Sequence, residues 1–272
     1  MNLLFSINRK FIPLWEQCMA TILRHGGAAH YDLYVLHSDL TGEDGARMQA
    51  ALRPQDSCTL VRVPDGLFEG FPETGRYPVQ IYYRLAAPLL LPEALNRILY
   101  LDVDTVVLNS LEPLYTSDFA GAAFMACSHT RKFLDKVNQA RLGLEDGVRY
   151  LNSGVLMMDL ALLRRTLRLE DIRDYAGRYK NRLILPDQDI LTGLFGDKAL
   201  VLDSRIYNMT DRLYVRCSAL PSERLSLDWV RQNTVVVHYL GKPKPWQKNY
   251  IGPLGVFYQE ELAQTRAAAE EA

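Results

Sequence analysis

The chain reads as an α/β protein whose strands lie in a mostly parallel, doubly wound sheet. Three observations predict this. Residues 2–63 alternate between short apolar runs and helical patterns in the order β-α-β-α-β. An apolar run with no helical period, Ile98-Leu99-Tyr100-Leu101, ends abruptly in Asp102 and Asp104, as a buried strand does where it meets a ligand-binding edge. A second β-branched run, Val235-Val236-Val237, ends in His238 in the same way.

Each element has its own warrant. Asn2 to Ile7 is a first buried strand, followed by Ser6, Asn8, Arg9 and Lys10 at its C-terminal end. Ile12, Trp15, Met19, Ile22 and Leu23 fall on one helical face; Pro13 suits the first turn and Gly26-Gly27 stop the helix. Tyr31 to Leu36 is a second strand. Thr41 caps a helix running to about Leu52, with Asp44 completing an approximate capping box. Thr59 to Val63 is a third strand. Leu67 to Pro78 is rich in Gly and Pro and reads as a loop. Val79 to Leu91 has a helical pattern that Pro88 must end or kink. Ala122 to Cys127 is a strand, Arg131 to Leu142 a helix, and Tyr150 to Gly154 leads into a strand over Val155 to Met158. Leu169 to Tyr179 is helical, and Pro186-Asp187-Gln188-Asp189 opens a short helix with acidic residues at its N-terminus. Ala199 to Leu202 and Thr234 to Val237 are strands. Phe257 to Ala269 closes the chain as a helix ending in the polar AAAEEA.

The chemistry concentrates at Asp102 and Asp104. In extended chain, residues i and i+2 point to the same side, with Cα atoms about 6–7 Å apart. Two carboxylates converging at the edge of a core need a positive partner, and a divalent cation with oxygen ligands is the simplest. His238 is a third candidate ligand. Arg84, the only charge in YYRLAAPLLL, is either a guanidinium reaching out from a core helix or a cation facing this site. Gly241 permits close backbone approach, Lys242 and Lys244 offer positive charge, and Pro243 and Pro245 stiffen their loop.

Composition bounds the rest. The 272 residues are 48% hydrophobic and carry a formal net charge of −1, so nothing suggests a nucleic-acid partner. Four scattered cysteines, with no Cys-x-x-Cys, point to neither a disulfide framework nor a zinc site, and a reducing cytosol is the default. The opening apolar run is too short for a signal peptide, and no window holds 18 uninterrupted apolar residues.

LYLDVDTVV, YLNSGVLMMDL, PDQDIL and HYLGKPKPW together resemble, in order and approximate spacing, the motifs of glycosyltransferase family 8, which includes bacterial lipopolysaccharide galactosyl- and glucosyltransferases and glycogenin. The likeness runs from Asn2 to about Trp246. It implies a GT-A fold, a single-domain α/β architecture with a Rossmann-like nucleotide-binding mixed sheet, over 1–250, with a C-terminal helix and polar tail over 251–272. It also implies retaining transfer of a hexose, galactose or glucose, from a UDP-sugar donor to a saccharide or glycolipid acceptor. The implied cofactor is Mn2+, with Mg2+ as the alternative. By position, Asp102, Asp104 and His238 resemble the metal ligands, and Val103 lies between the first two in the donor-binding motif. Gly241 and Lys244 resemble diphosphate contacts, and Arg84 the arginine on donor sugar and phosphate. Asn152, Ser153 and Gly154 line up beside the donor sugar, with Asn152 grouped with the catalytic residues, and Asp187, Gln188 and Asp189 line up with the reaction-centre loop. Ser6 and Asn8 are the implied nucleoside contacts. Where family members carry an acidic stretch after the first strand, this chain has Ser6-Ile7-Asn8-Arg9-Lys10-Phe11. The expected location is the cytoplasm, with at most peripheral contact at the inner face of the membrane.

Two alternatives share features. A haloacid-dehalogenase-type phosphatase also places Asp-x-Asp after a buried strand, and Gly196-Asp197 would serve as its later acidic motif. A glycogenin-like self-glucosylating primer would fit within the family.

Overall fold

The computed structural model describes residues 1–73, 78–130, 132–219 and 225–271. Part of the loop expected over Leu67 to Pro78, the expected helix start at Arg131 and the final Ala272 lie outside the described residues. The strands in chain order are β1 (Asn2–Ser6), β2 (Asp32–His37), β3 (Ser57–Arg62), β4 (Arg97–Leu101), β5 (Thr105–Val107), β6 (Phe124–Cys127), β7 (Val155–Asp159), β8 (Ala199–Leu202) and β9 (Val236–His238).

Seven of them form one sheet in the order β3-β2-β1-β4-β7-β6-β8. All run parallel except β7, which is antiparallel to both β4 and β6. The sheet is therefore mixed, with one reversed strand near its middle. Period-2 alternation divides the core between its two faces. Leu3, Phe5, Leu99, Leu101, Val155 and Met157 point to one side, where Trp15, Met19 and Ile22 of the helix Ile12–His25 cover them. Leu4, Ile98, Tyr100, Leu156 and Met158 point to the other, against Leu160, Leu163, Ile172 and Ile190. Continuous apolar runs such as Ile98 to Leu101 are what strands covered on both faces require. The chain order reverses direction across the sheet between β1 and β4, and the crevice outside the C-terminal ends of these strands is where open α/β sheets bind ligands.

Local signals mostly resolve as their chemistry demands. Thr41 and Asp44 make the reciprocal capping box of the helix Gly42–Ala50. Gly27, at φ +86°, ends the helix Ile12–His25 one residue beyond its cap. Three expectations need correction. Val79 to Leu91 is not one helix but a 3-10 segment, Val79–Ala86, passing into a short α-helix, Ala87–Leu90. Pro88 does not break it, because Pro88 lies in the first turn of the second piece, where its missing N–H costs nothing. The last strand is displaced by up to two residues and leaves the main sheet: β9 pairs only with β5, antiparallel, in a two-stranded ribbon. The closing helix begins at Gly255 and continues through the polar end to Glu271. Its Leu254-side end buries Phe257 and Tyr258 under the ribbon, and its Glu261 accepts hydrogen bonds from Arg24 and His25 of the first helix. Among the described residues no helix is long and apolar enough to cross a membrane.

Candidate active site

Asp102 and Asp104 do lie at the C-terminal end of β4, but not in extended chain. The strand stops at Leu101, and residues 102–104 form a turn into β5. Thr105 Oγ1 closes it by donating to the Asp102 carbonyl at 2.8 Å. The shared direction of the carboxylates is thus a property of the turn. Pairing across the ribbon then sets Thr105 opposite His238. This places His238 Nε2 3.2 Å from Asp104 Oδ1 and 3.7 Å from Asp102 Oδ2, with one ligand atom from each residue within 4.8 Å of the others. Nε2 is buried and makes no hydrogen bond among the described residues. Two carboxylate oxygens and an imidazole nitrogen that lacks a partner fit a divalent cation.

Cationic side chains surround the carboxylates. Lys244 Nζ pairs with Asp104 Oδ2 and donates to the Tyr239 carbonyl at 2.6 Å. Burial alone would raise the Asp104 pKa, yet His238, when protonated, and Lys244 outweigh it and hold the carboxyl well below its usual range. Arg84 is a buried cation facing the site, so the reading of a surface-seeking guanidinium falls away. Its Nη1 donates to the Ser153 carbonyl at 2.7 Å and lies 3.0 Å from Asp102 Oδ1; its Nε lies 3.6 Å from Asp187 Oδ2, and its plane sits 4.3 Å from the Tyr100 ring centre. Burial works against its charge, but Asp102, Tyr100 and Asp187 prevail and raise its pKa. For Asp187 the balance is opposite: burial raises its pKa despite Arg84 and a 2.7 Å bond from Ser153 Oγ.

The reversal of β7 brings the 152–154 segment to the same edge. Asp102 N donates to the Gly154 carbonyl at 2.8 Å. Asn152 Oδ1 accepts from Gly154 N at 3.0 Å, and Asn152 Nδ2 donates to Gln188 Oε1 at 3.1 Å. Asp102, Asp104, His238, Lys244, Arg84, Asn152, Ser153, Gly154, Asp187 and Gln188 therefore form one connected group. Asp189 reaches this group through Tyr150, which also bonds Gln188, and has a set of partners of its own. Fully buried, it receives two bonds from Arg141, at 2.7 and 2.8 Å, one from Tyr150 Oη at 2.6 Å, and two from the backbone of Ile184 and Leu185. Ser6 Oγ donates to the Gln80 carbonyl at 2.8 Å, on the segment that carries Arg84, and Asn8 caps the 3-10 turn Arg9–Phe11. Val103 turns its side chain onto the core cluster beneath β4. Gly241 has φ +79°, a region open chiefly to glycine, in the loop between His238 and Lys244.

Four participants were not singled out by the sequence. Tyr100 Oη donates to Asp102 Oδ1 at 2.6 Å; its place two residues before Asp102 on an alternating strand was a usable signal. Arg141 and Tyr150 hold Asp189; Tyr150 opens the YLNSGVLMMDL motif, whereas nothing in the local sequence marks Arg141. Asn208 Nδ2 donates to Asn152 Oδ1 at 2.8 Å while its Oδ1 faces His238 Nδ1 at 3.0 Å, and a lone asparagine after Tyr207 carries no pattern at all.

The sequence profile of Glycosyl transferase family 8 matches residues 2–250. The chain belongs to glycosyltransferase family 8. Lipopolysaccharide 1,2-glucosyltransferase of Escherichia coli (strain K12) is 25% identical over 96% of this chain and 77% of its own length. Lipopolysaccharide 1,3-galactosyltransferase of Salmonella typhimurium is 23% identical, covering 94% and 76%. The crystal structure of galactosyltransferase LgtC in complex with donor and acceptor sugar analogs superposes with a TM-score of 0.82 at 26% identity, over 97% of this chain and 96% of that one. This family 8 enzyme thus has the expected GT-A-like fold. The phosphatase alternative finds no support in these relatives, and geometry opposes it. Gly196 and Asp197 precede β8, which runs parallel to β6 and in the same direction as β4, so Asp197 lies at the end of the sheet opposite Asp102.

Proposed function

We propose that this glycosyltransferase moves a hexose, galactose or glucose, from a UDP-sugar to a saccharide or glycolipid acceptor with retention at the anomeric carbon. The observation that carries the reading is the convergence of Asp102, Asp104 and His238 beside Lys244 and Arg84, outside the strand ends where the sheet order reverses. The names of the lipopolysaccharide glucosyl- and galactosyltransferases support the hexose and the acceptor class. Asp102, Asp104 and His238 would hold a divalent cation, Mn2+ or Mg2+, which supplies Lewis-acid neutralisation of the departing diphosphate. Lys244 and Arg84 add fixed positive potential to the same leaving group. Ser6 and Asn8 flank the nucleoside side of the crevice, and Gly241 lets the loop backbone close on the phosphates. Asn152, Ser153 and Asp187 face the sugar. Gln188, a neutral amide, is a poor nucleophile; we assign it to stabilising the oxocarbenium-like sugar while the acceptor enters on the face the nucleotide leaves. Asp189, with every lone pair engaged, holds this loop in place.

Thermal denaturation tests the donor site. Three protein ligands leave coordination positions for diphosphate oxygens, so metal and nucleotide should bind with positive coupling. UDP with Mn2+ is expected to raise Tm by more than the sum of the separate shifts, UMP to show much less excess, and Asp104→Asn to abolish it. A full UDP shift in the presence of chelator overturns the metal-bridged site. Donor hydrolysis across a panel of UDP-sugars then identifies the hexose, and turnover of none of them refutes the donor class.

A further inference from the structure

Asn208 is fully buried at the junction of two short helices, Ser204–Tyr207 and Asp211–Ser218. Its backbone is clamped on several sides. Its N–H donates to the Ser204 carbonyl, and its carbonyl accepts from His129 Nε2 at 2.7 Å. The next residue, Met209, exchanges backbone bonds with Val236 and His238 of β9. The side chain therefore has one place to go, between Asn152 and His238.

The direction of its amide follows from a group whose polarity is fixed. Gly154 N–H can only donate, so the Asn152 atom 3.0 Å away is the oxygen. That oxygen also lies 2.8 Å from one end of Asn208, which must be the NH2. The other end, the oxygen, lies 3.0 Å from His238 Nδ1, which must carry the proton. His238 Nε2 is then the nitrogen free to ligate, and it is the one facing Asp102 and Asp104. The same chain fixes Asn152 Nδ2 on Gln188 Oε1.

We propose that Asn208 is a positioning residue that locks His238 in its Nδ1-protonated tautomer and ties that imidazole, through Asn152, to the amide of Gln188. The inference rests on reading His238 as a metal ligand. Groups that orient a ligating imidazole in this way typically cost about 10–100-fold in metal affinity when removed.

Two variants separate the two bonds. Asn208→Leu has a similar size and offers neither donor nor acceptor. Asn208→Asp keeps an acceptor for Nδ1–H and loses the donor to Asn152. Long-range proton–nitrogen NMR of the metal-free protein, labelled at histidine nitrogen, reads the tautomer directly, with His238→Gln assigning the signal. The unsubstituted protein is expected to show protonated Nδ1. Asn208→Leu should lose that signature and bind Mn2+ about 10–100-fold more weakly by electron paramagnetic resonance titration. Asn208→Asp should keep both, yet lower kcat for donor hydrolysis with little change in donor KM. An unprotonated Nδ1, wholly or in part, in the neutral imidazole of the unsubstituted protein overturns the proposal without any variant. So does Asn208→Leu with an unchanged tautomer and unchanged Mn2+ affinity. Failure of the unsubstituted protein to bind Mn2+ would instead refute the metal reading, and the tautomer measurement would still decide the lock.

Discussion

Replacing Gly154 by alanine puts a methyl group against His238 and Asp102, two members of the proposed metal site. A Cβ at this position would lie 2.2 Å from His238 Cε1, 2.7 Å from Asp102 Oδ2 and 2.9 Å from His238 Nδ1. Carbon atoms in ordinary contact sit about 3.5–4.0 Å apart, so the imidazole must retreat by roughly 1.3–1.8 Å. It is poorly placed to do so, being fully enclosed, bonded to Asn208 and fixed by strand pairing. Metal sites tolerate distance errors of only about 0.2 Å, far less than this displacement. The expected result is a folded variant, destabilised by about 1–3 kcal/mol as overpacked cores are. Its Mn2+ affinity should fall by at least the ~10–100-fold that misplacing a ligand through its support costs. Calorimetric titration with Mn2+ and urea unfolding measure the two effects. Gly177→Ala is the control: this helix glycine has nothing within 4 Å of a Cβ, and alanine there should stabilise by about 0.5–1 kcal/mol. Unchanged Mn2+ affinity in Gly154→Ala would refute the geometric argument.

Lys244→Met should weaken binding of UDP far more than that of uridine, because the ammonium acts as a point charge on phosphate; equal losses by calorimetry would make Lys244 structural. Asp189→Asn breaks a buried pair with Arg141 and should cost about 3–5 kcal/mol in urea unfolding. Lost turnover at full stability would argue instead for a direct part in the reaction. Burial, against the opposing hydrogen bond to the Asn208 carbonyl, lowers the His129 pKa from 6.5 to about 4. The unfolded chain therefore takes up a proton at a higher pH than the folded one, and the stability this residue contributes is complete above pH 6.5 and lost as pH falls towards 4. The loss approaches ~1.4 kcal/mol per pH unit and about 3 kcal/mol in all. His129→Gln should flatten the pH dependence of the urea midpoint over that window, and an unaltered slope would refute it.

What could be read from the sequence was what is local or periodic. The capping box at Thr41, the helix stop at Gly26-Gly27 and the buried run before Asp102 each declare themselves within a few residues. That Asp102, Asp104 and His238 would come together was legible because they follow β-branched or apolar runs that end at one edge of the sheet. The geometry of the trio was not, because the turn over residues 102–104 and the ribbon that sets Thr105 opposite His238 depend on a pairing between segments more than 130 residues apart. The reversal of β7 was hidden for the same reason: a strand buried on both faces has the same composition in either direction. In Val79 to Leu91 a helix was expected and the pitch was wrong, because Tyr82 to Ala86 are all buried and a continuous buried run carries no period that separates 3-10 from α geometry.

The arrangement of spare atoms says more about the site than the identity of its ligands. Asp102 has Oδ1 occupied by Tyr100 and Arg84, which leaves Oδ2. Asp104 has Oδ2 occupied by Lys244, which leaves Oδ1. His238 has Nδ1 occupied by Asn208, which leaves Nε2. Each group is held at its outer end by a side chain from another segment, and each uncommitted end points at the other two. Three acceptors turned inward would repel one another if nothing positive lay between them, and the outer bonds prevent them from turning away. A cation held here would therefore be specified as much by Tyr100, Arg84, Lys244 and Asn208 as by the three residues that would touch it. The reversed β7 completes this arrangement, because only a strand beginning at this edge can offer Gly154 N–H to orient Asn152, and through Asn152 the amides of Asn208 and Gln188.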